Sequence, residues 1–269
     1  MKTWRFLVLI SLLLSLALLV SCGGSDDEKK ASVPKNDNPG GISDDDAADD
    51  DTTADDDDDT SSDEINVVMI TRNVSDVPAY ETMLESYKLR FSSILEDEIA
   101  TTDFSSADVL FVDTSCRWYS AADVTTIDET GLPILGVFEG GGYLFNGLGL
   151  YAGWDNGFTE FDVTDTVVQD ASHPVFTKPY GLNVTNGETI ALFASGVRLH
   201  YLDALDAPAD VTLLANRPVG TDYSGIVLQK KIYIYWGYEM SPNLLTANGA
   251  KLLINSLYYL AGVGNANSQ

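Results

Sequence analysis

The chain is poor in the residues that most often brace a fold covalently or carry reactive chemistry. It has 2 cysteines and 2 histidines in 269 residues. Two cysteines allow at most one disulfide, so the multi-bridge framework of small secreted domains is excluded and the fold must rest on a hydrophobic core. Zinc requires three or four ligands, and neither His173 nor His200 has a cysteine or a Glu-x-x-His pattern around it, so no metal site is expected. Basic residues are also scarce, 15 against 41 acidic, for a net charge of −26. Phosphate contacts need clustered Lys and Arg, so nucleic acid is excluded as a partner. Only one apolar run is long, Phe6 to Val20. Fifteen helical residues would reach about 22 Å, short of the roughly 30 Å hydrocarbon core, so a signal-type segment fits better than a permanent span.

That run sits in an ordered context. Lys2 and Arg5 precede it, and Leu19-Val20-Ser21-Cys22 follows, with a small residue before the cysteine. The pattern resembles the lipobox of bacterial lipoproteins. The resemblance implies a signal peptide over residues 1–21, cleavage before Cys22, and acylation of Cys22 with palmitate-type chains. Two or three chains would anchor the protein stably in a membrane where one is marginal. Gly23 stands where an acidic residue would retain such a protein at the inner membrane, so an outer-membrane, cell-envelope location is expected. An ordinary signal peptide or an uncleaved anchor with an incidental cysteine is the plainer alternative.

Residues 22–64 are of another kind. They carry 17 acidic residues against Lys29, Lys30 and Lys35, and twelve of the twenty residues 44–63 are Asp. With no aromatic and no large aliphatic side chain in that Asp-rich stretch, there is too little apolar surface to offset the entropy of ordering. A disordered, charge-extended linker is expected, its contour more than about 100 Å. The runs lack the alternate carboxylate spacing and turn glycine of a calcium loop.

From Ile65 the composition is globular, over about 200 residues, the size of one domain. Ile65–Ile70, Val109–Val112, Pro133–Phe138 and Ile232–Trp236 read as buried strands. Ala79–Leu95 reads as an amphipathic helix, Ser120–Thr130 as a helix capped by Ser120, and Leu244–Ala261 as a C-terminal helix. Phe158–Leu228 reads as short strands and turns. Strands alternating with helices imply parallel βαβ units, hence an α/β, flavodoxin-like, doubly wound and mostly parallel sheet in a single globular domain.

Two stretches then carry a resemblance to the class I glutamine amidotransferase-like superfamily, and within it to the ThuA-like members. Pro133-Ile-Leu-Gly-Val-Phe-Glu-Gly-Gly-Gly142 is similar to the family's strand–turn–helix elbow, P-x-L-G-I-C-x-G-H-Q. Tyr235-Trp-Gly-Tyr-Glu239 stands where the family has F-H-P-E. The ending Leu245 to Gly262 resembles the C-terminal helix of ThuA-like domains, and Ser172-His173-Pro174-Val175 a turn common there. The resemblance spans about residues 65–263, leaving 264–269 as a tail.

The departures bear on function. The resemblance puts the nucleophile position at Phe138, which has no attacking atom, and the histidine position at Gly237, which has no proton acceptor; of the three, only Glu239 remains. No catalytic residue and no cofactor are therefore expected, and the leading reading is a non-enzymatic, lipid-anchored binding or scaffold domain. Its candidate pocket is Phe138, Glu139, Gly140, Gly141, Gly142, Tyr238 and Glu239, at the carboxyl edge of the sheet.

Each candidate has a plainer reading. Glu139 could pair with Glu239 in acid/base work or simply meet the helix dipole. The three glycines could present amides to an anion or merely permit a tight turn, and no P-loop lysine follows. Cys116 could be a displaced nucleophile beside Arg117, or a packed thiol. Trp118, Tyr151, Trp154, Trp236 and Tyr238 could line a groove for a sugar or peptide, or be buried under loops. Two further functions stay open: a ThuA-like enzyme acting on a carbohydrate through Glu139 and Glu239 or a metal, and a protein-interaction module of an envelope complex. Glu139, Glu239 and Asp113 clustered at metal-ligand distance would favour the enzyme; Phe138 and Trp236 filling the pocket would argue against it.

Overall fold

The computed structural model describes residues 64–117, 119–220 and 222–267, with side chains as far as Gly262. The expectations for the signal segment, Cys22, the linker up to residue 63 and Trp118 lie outside these residues.

Four segments expected as strands form the heart of the sheet: β1 (Asn66–Thr71), β3 (Val109–Val112), β4 (Ile134–Val137) and β11 (Tyr233–Trp236). They run in parallel in the order β1-β3-β4-β11. Alternate residues enter two cores. Val67, Met69, Phe111, Leu135, Val137, Ile234 and Trp236 face one, packed by α1 (Val77–Ser86) and α5 (Ala247–Asn267). Val68, Ile70, Leu110, Val112, Ile134 and Tyr235 face the other, packed by α2 (Ala121–Thr130) and α3 (Phe138–Gly147). Burial on both faces explains why these strands read as unbroken apolar runs rather than alternating ones. Ser120 caps α2 as expected, its hydroxyl accepting from the Asp123 amide while the Asp123 carboxylate accepts from the Ser120 amide.

The helix expected over Ala79–Leu95 is corrected. Helix α1 ends at Ser86, and Arg90–Leu95 is strand β2, parallel to β1 at the sheet's edge. A turn at Lys88, in the left-handed region at φ 62°, closes the helix. There the Leu89 amide donates to the Leu84 carbonyl and the Lys88 amide to the Glu85 carbonyl. This is the Schellman arrangement, which normally uses glycine where Lys88 stands.

Beyond β11 the sheet continues antiparallel through β10 (Tyr223–Gln229), β9 (Val211–Asn216), β6 (Asp165–Val168) and β7 (Thr189–Ala191). A branch from β10 carries β8 (Val197–Asp203) and then β5 (Gly157–Val163). The region read as short strands and turns is therefore an antiparallel lobe of one 11-stranded sheet, whose parallel half has the flavodoxin-type order β2-β1-β3-β4. Among the described residues no helix is long and apolar enough to cross a membrane.

Candidate functional site

Strand β4 passes into α3 without an intervening loop, and the junction residue, Phe138, has φ 45°. A side chain in this left-handed region costs about 1–2 kcal/mol. The sharp turn is possible because Gly136 and Gly141 lie back to back: a Cβ on Gly141 would overlap the Gly136 backbone. Gly140 is pressed in the same way against the Asp113 carbonyl, and Gly142 meets the Trp154 side chain. All three glycines of the triplet are buried by packing.

The elbow thus has the geometry that would project a nucleophile, but the side chain it projects is fully buried. The Phe138 ring meets Trp154 edge-on at 5.2 Å, and the Arg198 guanidinium lies 4.8 Å from its centroid. Two aromatic and cationic contacts of this kind offset the backbone strain.

Arg198, on β8, is the organising residue of the site. Its Nε and Nη2 donate to both oxygens of Glu239 at 2.7 and 2.6 Å, and its Nη1 reaches Glu139 Oε1 at 3.4 Å. The other Glu139 oxygen takes Arg117 Nη2 at 2.5 Å. The bidentate contact holds the Glu239 carboxyl below its ordinary range, and the two glutamates in turn hold the Arg198 guanidinium more firmly protonated. The row extends outward: the Arg117 amide donates to Glu96, which pairs with Arg72 at 3.1 Å. Arg198 stands between Glu139 and Glu239, reaching both carboxylates. Among the described residues no His, Cys, Asp and Glu group of three or more is gathered for a metal.

The backbone decides the rest. At Gly237, the carbonyl accepts from the His200 amide at 2.7 Å and the amide donates to the Gly225 carbonyl at 2.8 Å. A Cβ at Gly237 would overlap the His200 carbonyl. The position where the resemblance puts a histidine is therefore occupied by the β8 main chain.

His200 itself is buried and neutral. Its Nε2 is 3.0 Å from the Trp154 carbonyl, an acceptor only, so that nitrogen carries the proton. Its Nδ1 then accepts from the Tyr235 hydroxyl at 2.8 Å, with the Phe138 carbonyl a second acceptor for that hydroxyl at 3.2 Å. The imidazole stacks on Trp154 at 4.2 Å, and burial drives its pKa down to about 4.

Of the remaining candidates, Tyr238 is buried away from the charged row, its hydroxyl donating to the Asp165 carbonyl. Trp236 is fully buried with Phe138 in the same core. Asp113 is also buried, its Oδ2 accepting from Thr71, the Ser115 hydroxyl and the Ser115 amide; desolvation raises its carboxyl pKa. Cys116 is buried, its thiol donating to the Ile70 carbonyl, and desolvation together with Glu96 and Asp113 pushes its pKa up. Arg117, read as a partner for Cys116, gives its guanidinium to Glu139 instead. His173 fixes its turn, with Nδ1 accepting from the Val175 amide. The Tyr151 hydroxyl donates to the Asp203 carbonyl. A crevice of about 540 Å³ lies beside this site, lined by Arg72, Leu95, Glu96, Asp97, Ser120 and Asp123.

Residue-by-residue reading missed Arg198 and Tyr235. Arg198 had a signal: in Val197-Arg-Leu-His-Tyr-Leu, period two puts Arg198 on the face of His200.

No family model matches the chain, and no curated protein matches it. Solved structures do. A proposed GMP synthase subunit from Thermoplasma acidophilum is similar with a TM-score of 0.51 at 13% identity, covering 77% of this chain and 98% of that one. PurLQS from Thermotoga maritima has a TM-score of 0.49 at 14% identity, covering 73% and 99%. A glutamine amidotransferase from Thermotoga maritima has a TM-score of 0.41 at 10% identity, covering 74% and 96%. The likeness at a TM-score of 0.51 is one of fold: a mixed α/β, flavodoxin-type arrangement with a largely parallel central sheet.

Proposed function

We propose that the chain is a lipid-anchored cell-envelope protein whose domain keeps an amidotransferase-like scaffold, of ThuA-like type, without its hydrolytic chemistry, and serves in binding or scaffolding. The observation that carries this reading is the sealed elbow. Phe138 occupies the strained turn, buried under Arg198 and Trp154. The His200 carbonyl fills the space beside Gly237. Glu239 is held ionised by Arg198, which suits an anchor for an ion pair and not a proton donor. The carbohydrate-enzyme alternative would need Glu139 and Glu239 free, and both are engaged by arginine. Anchoring rests on the Ser21-Cys22 junction, its membrane partner being the lipid bilayer, with Gly23 favouring the outer membrane.

The test is a thermal-shift screen of the purified chain against sugars, nucleotides and divalent metals, run alongside a glutamine-hydrolysis assay. The reading expects no glutamate release above the blank. Release of glutamate by the wild-type chain overturns it, and stabilisation by one ligand class identifies what the scaffold binds.

A further inference from the structure

Strand β5 lies on the far side of β8 from the elbow: Thr159 and Glu160 pair with His200 and Leu199 on β8. Among the described residues β5 pairs only with β8, and its outer edge receives no backbone hydrogen bond. Edge strands are usually guarded by outward polar or charged side chains. Strand β2, the edge of the parallel half, follows that rule with Arg90, Ser92 and Ser93 exposed. Strand β5 exposes Thr159 and Asp162 but also two large rings, Phe158 at 58% and Phe161 at 67%. The neighbouring turns add Leu205 and Val219, at 74% and 68%.

This apolar edge has an acidic surround. Asp155, Asp162, Asp206 and Asp222 are exposed around it. The nearby cation, Arg217, is already committed: its Nε is 2.8 Å from Glu160, and its guanidinium lies over Tyr201 and Tyr223 at 4.7 and 5.7 Å. An apolar centre with a charged rim is the anatomy of a protein interface. A second copy is a poor occupant, because Gly157–Val163 contains Glu160 and Asp162 and no cation, and pairing it with itself would set acid against acid.

We infer that the outer edge of β5 is a docking site for an extended, lysine- or arginine-bearing segment of a partner protein. The segment adds as a short strand along Gly157–Glu160, its apolar side chains meet Phe158, and its cations meet the aspartates. The register break between Glu160 and Val163 limits the added strand to about four residues.

The test uses the full chain, an alternating Lys-Val heptapeptide and its Glu-Val counterpart as probes, with affinity read by fluorescence anisotropy and location by amide hydrogen exchange. The Lys-Val peptide should bind and slow exchange over residues 157–161, while the Glu-Val peptide should not. The double substitution Phe158→Ser with Phe161→Ser changes exposed side chains only and should weaken binding more than ten-fold. Equal binding by that variant, no protection over 157–161, or equal binding of the Glu-Val peptide overturns the inference. So does a wild-type dimer in sedimentation that the double variant dissociates, since the occupant is then a second copy.

Discussion

The carbonyl of His200 stands where a side chain at residue 237 would begin. The contact is fixed by the ladder around it, in which Gly237 bonds His200 on one side and Gly225 on the other, so neither strand can yield without losing a buried backbone pair. Gly237→Ala should therefore destabilise the domain by about 1–3 kcal/mol, the usual cost of forcing a methyl group into a filled interior. The urea-unfolding midpoint measures this. The double variant Phe138→Cys with Gly237→His should release no glutamate from glutamine even where it folds. Turnover by that variant would mean that the histidine position is not closed.

Arg198 joins β8 to Glu139 on α3 and to Glu239 after β11. Arg198→Met keeps an aliphatic cover over Phe138 but leaves both carboxylates without this cation. A loss of about 1–2 kcal/mol is expected at neutral pH, shrinking in 1 M salt. Glu239 has a lowered folded-state pKa, so its contribution is present above the unfolded value near 4.3 and lost as pH falls through the folded one. Wild type and variant should converge in stability in acid. A difference that persists at low pH would mean that Arg198 acts by packing alone.

How much of this was legible depended on which device shaped each residue. Strands β1, β3, β4 and β11 announced themselves because burial on two faces leaves continuous apolar runs, and the Ser120–Asp123 capping box marked the start of α2. The end of α1 was silent, because its left-handed residue is Lys88 and not the glycine that usually signals it. Phe91, Ile94 and Leu95 then continued a helical spacing while lying in a strand. At the site, Phe138 and Glu139 could be placed from the Pro133–Gly142 elbow. The closure of Gly237 could not, because it depends on pairing with a strand 37 residues earlier in the chain, and a long-range ladder leaves no local pattern.

Lys88 offers a direct check on that explanation. Lysine in the left-handed region is disfavoured by about 1 kcal/mol, whereas glycine is not. Lys88→Gly should leave the domain as stable or up to about 1 kcal/mol more stable, the gain reduced by the added freedom of the unfolded chain. A substantial loss in thermal or urea unfolding would assign Lys88 a side-chain role that the turn does not reveal.

Cys116 should behave as a packed thiol. It has no exposed surface, and its raised pKa leaves little thiolate at neutral pH. Alkylation of the Cys116 peptide, followed by mass spectrometry, is expected to be slow and to follow the unfolding equilibrium as urea is added. Fast labelling under native conditions would restore it as a candidate nucleophile.

His200 makes the domain sensitive to acid between its unfolded and folded pKa values. Its folded-state pKa of about 4 lies below the unfolded value near 6.5, so its contribution is fully present above pH 6.5 and is lost as pH falls towards 4. A displacement of this size corresponds to about 3 kcal/mol between those limits. Protonating the ring would place a proton on Nδ1 facing the Tyr235 hydroxyl and leave a charge stacked against Trp154 in the core. Stability measured by urea unfolding should fall between pH 6.5 and 4. His200→Gln, which has no group titrating there, should show a flatter profile over the same interval, starting from a lower plateau because the stacked ring is gone. If wild type and variant decline in parallel between pH 6.5 and 4, the acid sensitivity belongs to other groups and the buried neutral imidazole is not its source.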